Sequence, residues 1–243
     1  MKTSIFQMLL MANVSTVFGK YVYVPDKKTW LDAQEHCRAH YTELAPVSSK
    51  RDQKKLRKAG AQLEQTWIGL YRDPDDTDWR WSGGGYASYM PWVDGEPNND
   101  KEVEYYGSIC WSCEPTGWND LPESICQEFF CLNLMVVKEK KTWEEALQHC
   151  REQHTDLTSL VSETEVLLAQ REIREAQTTE HVWTGLRYLG DRWLWVNGDP
   201  LYQAWSQGEE QQCPAWSQRC GAVSKEGEWE SCDCQERLHF ICD

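Results

Sequence analysis

The chain has 243 residues, enough for one large domain or for two domains of about 120 residues that each bury a core. Its formal net charge of −14 argues against a nucleic-acid partner, because a surface that binds phosphates needs clustered Lys and Arg side chains. Eleven cysteines are unusual for a cytosolic chain, and the spacing of Cys and His matches no zinc motif.

Residues 1–19 have the pattern of a secretory signal peptide. Lys2 precedes an apolar run from Ile5 to Val17, and a small residue stands just before Lys20, where cleavage is expected. Polar residues interrupt this run, so the alternative that residues 1–19 are not a signal peptide stays open. No segment approaches about eighteen consecutive apolar residues, so we expect no transmembrane segment. The sequence therefore predicts a secreted, extracellular protein.

The remaining chain contains two copies of one pattern. Matched motifs recur in the same order at offsets between 111 and 116 residues. They are Lys28-Thr29-Trp30 with Lys141-Thr142-Trp143, Cys37 with Cys150, Trp67 and Gly69 with Trp183 and Gly185, Trp79 and Trp81 with Trp193 and Trp195, Trp92 and Gly95 with Trp205 and Gly208, and Cys131 with Cys242. The repeat predicts two units of one kind. We place them at residues 20–131 and 132–243, and because no linker-like segment separates them, we expect them to lie close together.

In the first unit, the stretch from Tyr21 to Val24 alternates like a short strand. Thr29 then begins a helix with one apolar face, and a second helix starts with Ser49 and Asp52.

The second unit repeats this order with stronger start signals. Residues 135–137 take the place of the strand, and Thr142 with Glu145 forms a capping box before the first helix. Ser162 and Glu165 form another before the second helix.

After the second helix of each unit, the period changes to alternating residues bounded by glycine turns, which indicates strands. Helices first and strands later are typical of the α+β class.

An acidic loop in the first unit offers only oxygen ligands. Glu96, Asn98 and Glu104 form one cluster, and Asn119 with Asp120 forms another about twenty residues later. Calcium prefers six to eight such ligands, so a fold that joins the clusters would make a calcium site. The alternative is a solvated acidic turn, which would be the better interpretation of an isolated Glu-Pro-Asn.

These motifs resemble the C-type lectin-like domain family over nearly all of residues 20–243. The resemblance rests on Trp-x-Gly-Leu, Trp-x-Trp, Glu-Pro-Asn, Trp-Asn-Asp and the closing cysteine. It implies two tandem domains, each with two helices, small antiparallel sheets and a long irregular loop that holds calcium and sugar. Most tryptophans at repeat positions would then belong to the core.

The resemblance also implies a ligand set. Calcium and sugar would both be held by Glu96, Asn98, Glu104, Asn119 and Asp120, with Glu102 as an alternative to Glu104. Family members with Glu-Pro-Asn prefer mannose-type sugars.

Five disulfides follow from the same resemblance. They are Cys37–Cys131, Cys110–Cys126, Cys150–Cys242, Cys220–Cys234 and, as an extra bridge, Cys213–Cys232. Cys113 is left over, either as a buried thiol or as a link between two chains. Cys126 is spaced differently from Cys234, so its pairing is the open question of this set.

The second unit lacks part of the ligand set. Glu209 and Gln211 stand where the first unit has Glu-Pro-Asn, and Glu230 follows Trp229 in place of Asn. We expect no sugar site there.

Two functions fit these observations. The first is a secreted, calcium-dependent lectin of innate immunity that binds mannose-type glycans or glycoproteins through the first unit, with a homo-oligomer as one route to avidity. The second is a protein-binding scaffold of the same fold, or a fragment of a larger receptor with several lectin domains. An enzyme is not expected, since it would need a nucleophile with a base or a metal site with histidine, and none of the six histidines lies near the acidic loop.

Overall fold

The computed structural model describes residues 16–60, 63–178, 180–201, 214–215 and 217–243, with side chains from Gly19 onward. The first copy contains β1 (Thr16–Phe18), β2 (Tyr21–Lys28), α1 (Trp30–His40), β3 (Glu43–Leu44), α2 (Lys50–Ala59), β4 (Gln65–Tyr71), β5 (Arg80–Trp81), β6 (Glu104–Cys110), β7 (Gly117–Pro122) and β8 (Gln127–Leu132), with a 3-10 turn at Asp100–Glu102. The second contains β9 (Met135–Lys141), α3 (Trp143–Gln153), α4 (Glu163–Ala176), β10 (His181–Leu189), β11 (Arg192–Trp195), β12 (Cys220–Ser224), β13 (Trp229–Cys232) and β14 (Leu238–Cys242). The two copies thus repeat one α+β arrangement, as the sequence predicts.

The helices begin where the sequence places their caps. Thr29, Ser49 and Thr142 each accept a hydrogen bond from the backbone N–H three residues later, and Thr142 completes a capping box with Glu145. These bonds satisfy amides that the first helical turn would leave unpaired.

The capping box predicted for α4 forms only in part. Ser162 accepts from the backbone of Glu165, but the Glu165 carboxylate turns away to Lys20 and to the Val161 amide, at 2.7 and 2.8 Å. A buried ammonium is a stronger partner for a carboxylate than a cap amide.

Each copy builds its own sheet, and both sheets are mixed rather than purely antiparallel. The order is β1-β2-β8-β4-β6-β7 in the first sheet and β13-β12-β10-β14-β9 in the second. The parallel pairs are β4 with β8 and β10 with β14. A parallel pair needs a long crossover connection. In the first sheet, the connection from β4 to β8 includes the acidic loop.

Tryptophans at the repeat positions form the core. The side chains of Trp30, Trp67, Trp79, Trp81, Trp143, Trp183, Trp193 and Trp195 are all buried. Their indole N–H groups reach backbone carbonyls in several cases, as when Trp30 donates to Ile68 and Trp143 to Thr184, both at 2.9 Å. Burial of such large side chains is the main stabilising contribution in a domain of this size.

Three of the expected disulfides are present and one is corrected. Cys37–Cys131, Cys150–Cys242 and Cys220–Cys234 form as expected. Cys110 pairs with Cys113 and not with Cys126, which is exposed. Cys232 is buried, while Cys213 lies outside the described residues, so their pairing stays a prediction.

The strand register explains why Cys110 does not take the expected partner. In the second copy, Cys220 pairs across from Arg187 on the neighbouring strand, and Tyr106 holds that same position across from Tyr71 in the first copy. The first copy therefore has an aromatic residue where the second has a half-cystine. Tyr106 packs on Trp30 with ring centroids 4.8 Å apart, so aromatic packing stands in for the disulfide.

The two copies share one hydrophobic core cluster and a buried polar interface. Lys20 is 1% exposed and donates to Glu165 and to the Ser159 carbonyl across the boundary. Burial opposes its charge, but the surrounding carboxylates outweigh that effect and raise the pKa of Lys20. Asp199 of the second copy accepts Lys55 of the first at 2.7 Å. The copies are in close contact, as the missing linker predicts.

The N-terminal strand overlaps the expected signal peptide. β1 pairs with β2 in antiparallel register, Phe18 opposite Tyr21. Cleavage before Lys20 would remove β1, so the boundary at residue 19 stays a prediction. Among the described residues, no helix has the length and apolar character needed to cross a bilayer.

Candidate calcium and sugar site

The predicted ligands of the first copy are brought together by two elements. The loop between β5 and β6 carries Glu96 and Asn98, and Glu104 begins β6. Asn119 and Asp120 lie on β7, paired across from β6. The two sequence clusters therefore meet because β6 and β7 form a hairpin and the loop folds back onto it.

Asp120 connects the strand to the loop. Its side chain is buried, and its two oxygens accept the backbone amides of Asn98 and Asn99 at 3.1 and 3.0 Å. The peptide bond between Glu96 and Pro97 is cis. Asp120 thus holds the loop residues against β7.

The loop oxygens face one another around this anchor. Glu96 accepts the side-chain amide of Asn98 at 2.9 Å. The backbone N–H of Asp100 donates both to the Asn98 side-chain oxygen and to Glu104, each at 2.8 Å. A shared donor shows that the Asn98 and Glu104 oxygens lie close together.

Of the two glutamates considered for this position, Glu104 lies beside the other predicted ligands. Glu102 is exposed and has a φ of 58°, and its backbone carbonyl accepts the Tyr105 hydroxyl at 2.8 Å. Glu104 in turn donates its backbone N–H to the Asn99 side chain at 2.9 Å. Asn99, which the sequence does not single out, has a φ of 47° and shapes this turn through both its side chain and its backbone.

Electrostatic crowding marks the site. Burial, a hydrogen bond with Asp120 and repulsion from the other carboxylates raise the pKa of Glu96 to about 7. Burial also raises the pKa of Glu104. Carboxylates that repel one another in this way favour the binding of a proton or a cation.

Asn119 supplies an observation that the hydrogen-bond network does not explain. Its side-chain oxygen is buried and has no hydrogen-bond partner. A buried amide oxygen without a partner is destabilising, and a cation would satisfy it. Within the described residues, no three His, Cys, Asp or Glu side chains alone are placed to hold a metal ion, so a cation here would depend on the two asparagine oxygens as well. The all-oxygen donor set fits calcium.

The second copy differs at the corresponding place. Glu230 is engaged by His181, with 2.6 Å between the carboxylate and ring nitrogen. Glu209 and Gln211 lie outside the described residues. Of the three candidate oxygen donors of the second copy, the structure describes only Glu230, and its carboxylate already contacts His181.

Comparison with known proteins places this geometry in a family. The model of the lectin C-type domain matches residues 26–132 and 139–243. The chain is 26% identical over 255 residues to the secretory phospholipase A2 receptor of Bos taurus, covering 88% of this chain and 17% of that receptor. It is 22% identical over 279 residues to C-type mannose receptor 2 of Rattus norvegicus, covering 92% of this chain and 18% of that receptor. A third relative, the C-type lectin mannose-binding isoform of Notechis scutatus scutatus, is 31% identical over 117 residues, which are 46% of this chain and 74% of that protein.

The chain therefore spans less than a fifth of the length of the two receptors. Both repeats are matched separately, and together they account for most of the 243 residues. The chain belongs to the C-type lectin domain family and contains two such domains in tandem.

Proposed function

We propose that the first domain binds Ca²⁺ and, through it, mannose-type glycans. The observation that carries this proposal is the convergence of oxygen side chains around Asp120, together with the buried, unpartnered oxygen of Asn119. The residues that would hold the ion are Glu96, Asn98, Glu104, Asn119 and Asp120.

Binding would be reversible and would involve no covalent step. When bound, calcium would supply a positive centre that accepts sugar hydroxyl oxygens as further ligands. The acids and amides of the loop would receive and donate the hydrogen bonds of those hydroxyls. A carboxylate accepts from a hydroxyl while an amide N–H donates to it, so the order of Glu96 and Asn98 selects the hydroxyl geometry.

The Glu-Pro-Asn order supports mannose-type rather than galactose-type sugars, as its resemblance to mannose-binding family members implies. Two of the relatives carry mannose in their names. Affinity for one monosaccharide would be weak, on the order of millimolar, so avidity would need several sites side by side.

An extracellular location supports this function. Four disulfides are present among the described residues, and disulfides persist mainly in oxidising compartments. Extracellular fluid also supplies the calcium that a weak loop site needs. A role in innate immunity is part of the same proposal.

The test is retention of the oxidised protein on immobilised mannose and galactose, each with calcium and then with a chelator. We expect retention on mannose that the chelator abolishes. Glu96→Gln with Asn98→Asp should shift retention toward galactose or remove it. Glu230→Gln in the second domain is the matched control and should leave retention unchanged.

No retention on either sugar by folded protein would refute the lectin proposal. The protein-binding alternative would then be the better interpretation of the same fold.

A further inference from the structure

A second cleft lies in the first domain beside the calcium loop. It has a volume of about 310 Å³ and opens between α1 and the neighbouring ends of β4 and β6. Its lining includes Trp30, Tyr71, Arg72 and Tyr105, with Arg38 and Gln34 from the helix. The walls therefore combine aromatic rings with two arginines in a chain of strongly negative net charge.

Arg72 is held in an unusual way. Its guanidinium lies over the rings of Trp79 and Tyr105, at 5.2 and 5.6 Å from their centroids. Its Nε atom is buried without a hydrogen-bond partner. Among the described residues, no carboxylate lies within the 4.0 Å that an ion pair with Arg72 requires. The rings fix the position of a cation for which the described residues provide no hydrogen-bond acceptor.

The second domain has a cleft at the equivalent place, but its arginines stand at other positions. Arg187 corresponds to Tyr71, and Tyr188 corresponds to Arg72. Arg187 lies over Trp143, which corresponds to Trp30, and pairs with Glu144 at 2.8 Å. In the first domain, the position of Glu144 is occupied by Leu31, which is 44% exposed. The first cleft therefore has no carboxylate at the position of Glu144 to offset its positive charge.

The other arginine of the cleft is partly engaged. Arg38 pairs with Glu43 at 2.8 Å and donates to the Ser82 carbonyl. Asp73, at the rim, is exposed and contributes the one acidic side chain of the lining. The unneutralised positive charge of the cleft is therefore concentrated on Arg72.

The cleft is joined to the proposed sugar site through Tyr105. This residue follows Glu104 directly, and its hydroxyl donates to the backbone of Glu102 in the calcium loop.

We propose that this cleft binds the anionic group, a sulfate ester or a carboxylate, of an acidic saccharide. Arg72 donates paired hydrogen bonds to the two oxygens of that group, and the aromatic walls pack against the apolar face of the sugar ring. That the same saccharide continues to the calcium loop rests on the proposed function, whereas anion binding by Arg72 does not.

The experiment titrates the tandem protein with α-mannobiose, with its monosulfate ester and with a mannose–mannuronate disaccharide, in the presence of a chelator. The readout is the ¹⁵N–¹H signal of the Arg72 Nε together with affinity by calorimetry. We expect the Arg72 signal to shift with the two anionic probes, and their affinities to exceed that of mannobiose by on the order of tenfold. The sulfate and carboxylate arms tell which anion is preferred.

Two substitutions test the assignment. Arg72→Gln should remove the preference for the anionic probes, whereas Arg187→Gln, which changes only the cleft of the second domain, should keep it. Leu31→Glu places an acid in the exposed position and should also remove the preference without touching the core, and Leu31→Gln is its matched control.

Equal affinity for all three probes would overturn the proposal, and so would an anion preference that survives both Arg72→Gln and Leu31→Glu. Because the chelator removes calcium, failure of this test is separate from failure of the mannose test. Conversely, loss of mannose retention in calcium would leave the Arg72 result standing.

Discussion

The raised pKa of Glu96 predicts that calcium affinity falls steeply in mild acid. Glu96 has a pKa of about 7 in the calcium-free site because of burial and its neighbouring carboxylates. Calcium binds the carboxylate form, so below about pH 7 a proton competes with the ion. One competing proton of this pKa weakens apparent calcium affinity by about 70-fold between pH 7.4 and pH 5.

The raised pKa of Glu96 has the opposite effect on the folding stability of the calcium-free protein, which should decrease as the pH rises. The pKa of Glu96 is raised above its ordinary value of 4.5, so the folded state binds the proton more tightly than the unfolded state does. Its contribution to stability is therefore present in acid and is lost as pH rises from 4.5 toward 7. Calcium should reverse this trend by neutralising the carboxylates.

The assay is calcium affinity by calorimetry at several pH values between about 5 and 8, in wild type and in Glu96→Gln. The variant should bind calcium more weakly and should lose most of the pH dependence. The raised pKa of Glu104 accounts for any remaining slope. Calcium affinity that is constant across this range, or a full 70-fold dependence in the variant, would refute the assignment of Glu96 as a ligand.

Two further predictions concern stability. Cys37→Ser opens a loop with a sequence separation of 94 and should lower the free energy of unfolding by roughly 4.5 kcal/mol. Cys110→Ser opens a loop with a separation of only 3 and should lower it by roughly 2 kcal/mol. Chemical denaturation of each variant measures both values. Lys20→Met leaves Glu165 buried and unpaired and should cost about 3–5 kcal/mol, while adding Glu165→Leu should restore much of that loss. A double variant as unstable as the single one would contradict this account of the interface.

Much of the fold could be predicted from local patterns. The two copies follow from motifs that recur in order, and the starts of the helices follow from side chains three residues away, as at Thr29 and Thr142. Such signals are local, so one sequence contains them. The convergence of Asn98 with Asp120 was expected from the resemblance, since no local pattern joins residues so far apart.

Interactions between distant residues account for the differences. The Cys110 pairing depended on strand register, which places Tyr106 where the other copy has Cys220. The incomplete capping box at Glu165 depended on Lys20, which is 145 residues away in sequence. Neither the register nor the buried ammonium can be recognised within a short stretch of sequence. The spacing of Cys126 left its pairing open, but it could not identify Cys113 as the partner of Cys110.

The second domain has a physical connection to the site of the first, although it lacks the full ligand set. Asp199 of the second domain is buried and accepts Lys55 of α2. On the same helix, Gln53 accepts the indole N–H of Trp118 at 3.1 Å. Trp118 directly precedes the proposed ligands Asn119 and Asp120 on β7. The interface between the domains therefore supports the helix that contacts the strand of the proposed calcium site.

These contiguous contacts predict that the domain interface and the proposed calcium site are energetically coupled. A double-mutant cycle measures such a coupling. Asp199→Asn weakens the hold on α2, and Gln53→Leu removes the bond to Trp118. If bracing acts through this route, the two substitutions should lower calcium affinity less together than the sum of their separate effects, with a coupling of about 0.5–1 kcal/mol. Strictly additive effects on calcium affinity would show that the second domain stabilises the chain without supporting the site. Non-additive effects would give the ligand-poor domain a role in binding, because its contacts would set how rigidly β7 presents Asp120.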